Sequence, residues 1–228
     1  MIKVWVPMMR HCRLLAVALL YALPAVAADK KPPAADPATS YPAKDVHDAE
    51  KVAIAADVCD TDQKCPFFRN KYVENDLLPI RVIVTNNSDN LVSLDDARMQ
   101  MMTSNNDKIP AAIEEEVNRR LFTYKNAKGT KIPLPGPLPP MTIHHPVDKK
   151  ITQDFNDFGF PTTVVKPHTT VSGYLFYDIR GVKDPIDGSE LYIRQVKTRA
   201  PQETENQELF AFQIALKKSY RSLKSEKP

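Results

Sequence analysis

Glycine is scarce in this chain. Its six glycines, Gly129, Gly136, Gly159, Gly173, Gly181 and Gly188, are spread so widely over the 228 residues that none can belong to a glycine-rich phosphate-cradling loop. The signatures of nucleophilic and zinc-dependent hydrolases, Gly-x-Ser-x-Gly, Ser-x-x-Lys and His-Glu-x-x-His, are also absent. A catalytic group therefore has to be assembled from residues distant in sequence, and no enzyme class is indicated by a local motif. Nor does one sign of charge prevail. The chain has 31 Lys and Arg against 28 Asp and Glu, and three of the basic residues, Lys3, Arg10 and Arg13, precede the first apolar run. Without those three the counts are equal. A nucleic-acid partner requires clustered excess positive charge, so none is expected. The one local excess, Lys217, Lys218, Arg221, Lys224 and Lys227, reads as a solvated basic tail over 218–228.

Long apolar runs are missing too, with one exception at the start. Residues 1–28 have the three parts of a secretory leader: a basic start, an apolar run from Leu14 to Leu23, and a small-residue exit at Ala25-Val26-Ala27-Ala28. The run is shorter than the roughly 18 residues that a bilayer span needs, and Pro24 breaks it. Cleavage after Ala27 or Ala28 predicts a periplasmic or secreted protein with no transmembrane anchor. Cysteine usage agrees with export. Of three cysteines, Cys12 leaves with the leader, and it precedes the apolar run, which is the wrong place for a lipid-carrying cysteine. Cys59 and Cys65 remain. An even count in an exported chain predicts a disulfide, and the C-x5-C spacing matches neither a redox C-x-x-C pair nor a usual zinc pair.

The mature chain divides by composition. Residues 29–45 are rich in Ala and Pro and poor in large apolar side chains, which predicts a disordered tether. Residues 46–217 match one ordinary domain in length. Period-2 alternation marks strands at 51–58, at Leu78–Thr85 with Leu78, Ile80, Val82 and Val84 inward, and at 92–103 with a break near Asp95-Asp96. It marks further strands at 163–165, at 170–179 as a central strand, at 191–196, and at 209–216 with Phe210, Phe212, Ile214 and Leu216 on one face. Two helices interrupt them. Ile113, Val117 and Leu121 lie four apart, with Glu115/Arg119 and Glu116/Arg120 as i,i+4 pairs. Lys149 to Phe158 should start at Asp148 as N-cap and bury Ile151, Phe155 and Phe158. Between the two helices, Lys131 to Pro140 is too proline-rich for a central strand and predicts an extended crossover. The expected fold class is mainly all-β: an immunoglobulin-like antiparallel β-sandwich of about seven strands, with one or two short inserted helices and a proline-rich crossover.

Three segments sharpen this reading. They are Leu78-Pro79-Ile80-Arg81-Val82-Ile83-Val84-Thr85-Asn86-Asn87-Ser88, the step Val92-Ser93-Leu94-Asp95, and Val165-Lys166-Pro167-His168-Thr169-Thr170 ahead of Gly173-Tyr174-Leu175-Phe176-Tyr177-Asp178. Together they resemble exported bacterial immunoglobulin-like domains of unknown function, in which an early strand ends in Asn-x-Ser and a proline turn precedes a Gly-x-Leu-x-Phe strand. The resemblance spans Val52 to Leu216 in outline. It implies an immunoglobulin-like sandwich and export, and it transfers no catalytic residue.

Candidate sites follow from side-chain chemistry. Outside the leader, methionine occurs in two places only, Met99-Gln100-Met101-Met102 and Met141, the latter just ahead of His144-His145. Thioether and imidazole ligands suit Cu(I), so Met99, Met101, Met141 and His144 form a candidate copper set; core filling by methionine is the plainer reading. Asp57, Asp60 and Asp62 surround Cys59 but lack the glycine and the oxygen count of a calcium loop. Pro137 and Pro140 in the proline run, and an exposed aromatic face of Tyr174 and Phe176, are candidate partner surfaces, as is the Cys59–Cys65 loop. The leading expectation is a non-catalytic exported binding or accessory module of the cell envelope, needing no cofactor, whose partner is an envelope or secreted protein. A periplasmic Cu(I) carrier and a small exported hydrolase are the alternatives.

Overall fold

The computed structural model of the chain describes residues 34–121, 130–132, 141–143, 148–203 and 205–217. The leader, Pro137, Pro140, His144 and the basic tail lie outside them. Two ten-residue strands, β3 (Leu77–Asn86) and β10 (Thr169–Asp178), form the frame. They pair antiparallel along their whole length, from Leu77↔Asp178 to Asn86↔Thr169. β1 (Lys44–His47) and β2 (Val52–Val58) extend the sheet on the β3 side. On the β10 side follow β6 (Lys108–Ala112), β5 (Arg98–Met102), β11 (Glu190–Arg194) and β14 (Phe212–Ala215). The strand order is thus β1-β2-β3-β10-β6-β5-β11-β14.

This sheet curls until its two edges meet, as the right-handed twist of adjacent strands favours. Side chains close the seam. The Gln213 N–H donates to Asp45 Oδ2 at 2.8 Å, and the His47 ring stacks on Phe212 with centroids 3.8 Å apart. Alternation then sends Leu78, Ile80, Val82 and Val84 of β3 inward against Met101, Leu191, Ile193 and Phe212 from the opposite half. A four-stranded sheet packs on this core. It consists of β4 (Leu91–Ser93), β9 (Val164–Val165), β12 (Lys197–Arg199) and β13 (Gln207–Glu208), in the order β13-β12-β4-β9, and it contributes Val92 and Val165, with Val196 and Leu209 from its ends. The fold is all-β, antiparallel and sandwich-like, with a larger sheet that is almost a barrel.

Two short helices interrupt the strands: α1 (Glu114–Leu121) and α2 (Lys149–Phe158). Asp148 caps α2 as the sequence predicts, its carboxylate accepting the Lys150 N–H at 2.9 Å. α1 holds a finding that the i,i+4 rule does not supply. Glu116 reaches back to the Ile113 N–H, while Arg120 turns away to Asp178, Asp76 and the Asn75 carbonyl, so the expected Glu116/Arg120 pair is not made.

Other expectations change as well. The segment expected at 92–103 does break at Asp95-Asp96, but its two parts, β4 and β5, lie in different sheets. The proline run is flanked by β7 (Thr130–Ile132) and β8 (Met141–Ile143), which pair with each other, Ile132 opposite Met141. Residues 133–140, expected as an extended crossover, lie outside the described residues. Residues 34–45 are not a free tether: Ala38, Tyr41 and Ala43 are buried, and the Ala38 N–H donates to Thr85 Oγ1 at 2.8 Å. Alanines against Ala53, Ala55 and Ile83 make a tight contact that average hydropathy does not register. Phe210, expected inward with Phe212, is 82% exposed because β14 begins only at Phe212.

The Asn-x-Ser that ends β3 has a structural task. The buried Asn86 amide donates to the carbonyls of Asn90, Val165 and Lys166, and its oxygen accepts from Ser88 N–H and Oγ. It ties the end of β3 to β9. Among the described residues no helix is long and apolar enough to cross a membrane.

Candidate functional site

The outer surface of the large sheet falls into two unlike halves. Over β2, β3 and β10 it is covered. Ile83 lies beneath the N-terminal segment. Farther along, the disulfide-linked loop and both helices bury Phe68, Tyr72, Val117, Ile151, Phe158, Tyr174 and Phe176 together. Cys59 and Cys65 are joined as predicted, their Cα atoms 6.0 Å apart. Asp154, with no exposed surface, is the polar centre of this layer. It accepts from the Arg69 N–H at 2.9 Å, from Arg69 Nη1 at 2.8 Å and from the Tyr72 hydroxyl at 2.9 Å. Arg69 also reaches Asp157. Burial, and then the Asp154 charge, hold the Tyr72 hydroxyl far above its ordinary titration range. A buried cation, Arg81, donates to Ser172 Oγ at 2.9 Å, lies 5.8 Å from the centre of the Tyr174 ring and sits opposite Asp57 in the β2–β3 register. These groups bind one another and fix the covering layer in place.

The half over β6, β5, β11 and β14 is open. Register sets its rows: Arg98 opposite Arg194, then Gln100 opposite Tyr192 with Gln213 beyond, then Met102 opposite Glu190 with Ala215 beyond. Lys108 and Pro110 of β6 continue the same face. Arg98, Arg194, Lys108, Pro110, Gln213 and Ala215 are exposed, and Tyr192, Gln100 and Met102 half-buried. Arg98 and Arg194 make no ion pair among the described residues; the carboxylate two residues before Arg98, Asp96, is held by Lys197 at 2.6 Å.

Where this face meets α1 it steps down into a groove of about 560 Å³. Leu77, Ala112 and Val117 contribute apolar walls, with Arg119, Arg180 and Asp178 among its polar lining. Asp178 is the hub, bonded by Arg120 and by the Arg180 guanidinium and N–H. Partial burial pushes its carboxyl up, but the Arg180 N–H and the two guanidiniums outweigh that, and it titrates below its ordinary range.

The residues singled out in sequence are placed as follows. Tyr174 and Phe176 are 5% and 1% exposed, so the expected aromatic surface does not exist: α2 and the disulfide loop cover it. Met99 and Met101 share one face of β5, as the copper set requires. That face is the inward one; Met101 is fully buried in the main core and Met99 packs against it. Met141 is in β8, and His144 lies outside the described residues. Among the described residues no group of three or more His, Cys, Asp or Glu is arranged to hold a metal ion. In the Cys59 loop, Asp60 pairs with Lys64 and Asp62 accepts the N–H groups of Val73 and Glu74. Sequence reasoning passed over Arg98, Gln100, Tyr192 and Arg194. The alternation of Arg98, Gln100 and Met102 with Met99 and Met101 marked an outward face, but which strand lies beside it is a property of the register alone. Compared with known proteins, the chain matches no family model, no curated protein and no solved structure.

Proposed function

We propose that this chain is an exported, non-catalytic binding module of the cell envelope, and that the open face of β6, β5, β11 and β14 is its contact surface. The observation that carries the reading is the contrast between the two halves. One is sealed by a disulfide, two helices and an N-terminal strap; the other presents arginines, amides and a tyrosine to solvent. Solvent-facing sheet surfaces are ordinary in antiparallel folds, but two arginines placed directly opposite repel each other, which favours a surface kept for a ligand. The leader-like N-terminus and the Cys59–Cys65 disulfide support an oxidising compartment outside the cytoplasm.

The test is site-specific photo-crosslinking in the native envelope, with the probe at Gln213 on the open face or at Lys71 on the covered side. Crosslinked species are expected from Gln213 and not from Lys71. Equal crosslinking from the two positions, or none from Gln213, contradicts the reading.

A further inference from the structure

The open face has a chemical character that points to a class of ligand. We infer that it binds a carboxylated polysaccharide, a chain of sugar-acid units; the inference rests on the binding-module reading and specifies its ligand. Arg98 and Arg194 are cross-strand partners, so their Cα atoms lie about 5 Å apart. Neither guanidinium has a carboxylate among the described residues. Two adjacent unpaired guanidiniums form a fork for one or two external carboxylates, each able to take a bidentate bond. Lys108 adds a third cation on the same face, and Glu190 is its one anion, four residues from Arg194, about 13 Å along the strand.

Next to the arginine pair is a row of different chemistry. Tyr192 stands between Gln100 on β5 and Gln213 on β14. A half-buried ring flanked by two amides offers an apolar plate and both donors and acceptors within one strand spacing on either side. A sugar ring has the complementary form: an apolar C–H face, a rim of hydroxyls, and, in a sugar acid, a carboxylate for the neighbouring arginines.

An acidic peptide is the less suitable occupant. Extended peptides dock by adding a strand to a sheet edge, and helical ones by filling an apolar groove. Here β5 and β11, which carry the arginine pair, each lie between two strands, and the outer edge of β14 meets β1 through the Gln213–Asp45 bond, so the row around the arginines offers side chains and not a free strand edge. Flat strand faces that bind oligosaccharides use such side-chain recognition.

The experiment is calorimetric titration of the leader-free chain at low salt with three probes: a hexamer of galacturonic acid, neutral maltohexaose and hexaglutamate. Wild type and two variants are compared, Arg98→Ala/Arg194→Ala and Tyr192→Ala. All the substituted positions face outward, and an unchanged far-UV spectrum with a cooperative melting transition no lower than that of wild type establishes that the variants fold. Hexagalacturonate is expected to bind, with Kd raised at least tenfold in the double arginine variant and at least threefold in Tyr192→Ala. Maltohexaose should not bind, and hexaglutamate should bind at least tenfold more weakly than hexagalacturonate. The inference is overturned if wild type ignores hexagalacturonate, if the arginine variant binds it equally well, or if hexaglutamate binds as tightly and is indifferent to Tyr192→Ala. Crosslinking from Gln213 that persists while hexagalacturonate fails to bind leaves the module reading standing and removes this ligand class; failure of both removes both.

Discussion

Replacing Asp154 by alanine should cost about 3 kcal/mol of folding stability, because its carboxylate unites the disulfide loop with α2. The side chain has no solvent-exposed surface and receives three donors from outside its own helix: the Arg69 N–H, the Arg69 guanidinium and the Tyr72 hydroxyl. Removing one partner of a buried ion pair costs roughly 3–5 kcal/mol, chiefly because the other is left without compensation. Arg69 retains 21% side-chain exposure and still has Asp157; it can recover some hydration, which places the estimate at the low end of that range. The Tyr72 hydroxyl is buried and cannot recover in the same way. Asp154→Asn keeps the shape and one acceptor but turns an N–H₂ toward donors, and should lie between wild type and alanine. Urea unfolding followed by far-UV circular dichroism measures the series; the chain's one tryptophan, Trp5, lies within the predicted leader, so mature protein has no tryptophan signal to follow. A loss below about 1 kcal/mol for Asp154→Ala would refute the argument, since it would mean that the donors find other partners and the carboxylate is not what holds the layer.

Other outcomes follow from the same structure. Replacing Cys59 and Cys65 by serine should lower stability by about 2 to 2.5 kcal/mol, the loop-closure value for so short a ring, with the oxidised pair verified by mass spectrometry before and after reduction. Gly173→Ala should destabilise by about 1–3 kcal/mol, because a Cβ there falls 2.5 Å from the Phe160 backbone nitrogen; an unchanged melting temperature would contradict that close approach. Arg194→Thr should raise the stability of the free protein by about 0.2–1 kcal/mol by relieving repulsion with Arg98, in opposition to its expected effect on polyanion binding. Asp178 has a depressed folded-state pKa, so its contribution is present above the ordinary carboxylate value of about 3.9 and fades as the pH falls through the lower folded value. The melting-temperature gap between wild type and Asp178→Asn should therefore be constant near pH 6 and shrink below about pH 4; a constant gap down to pH 2.5 would contradict the assignment.

Local chemistry was legible in the sequence and long-range placement was not. The inward row of β3, the centrality of β10 and the start of α2 at Asp148 follow from alternation and capping, which act within a few residues. Strands of two or three residues such as β12 and β13 carry too little periodicity to be seen, so an estimate of about seven strands falls short of the fourteen among the described residues. Tyr174 and Phe176 were read as surface, since nothing local says that α2 and the disulfide loop lie across that face of their strand. Asp154 did leave a trace: it sits three residues from Ile151 and four from Phe158, a carboxylate on the apolar stripe of α2. The candidate site was the least visible part, because Arg98 and Arg194 are 96 residues apart and become neighbours only through the β5–β11 register.

The open strand face is the proposed contact surface, and residue-resolved NMR tests that most directly. Hexagalacturonate titrated into isotope-labelled, leader-free protein should shift the amide signals of Arg98, Gln100, Tyr192 and Arg194 with one common affinity, and leave those of Arg69, Tyr72 and Asp154 on the covered half in place. Shifts confined to the covered half, or none anywhere at millimolar ligand, would contradict it.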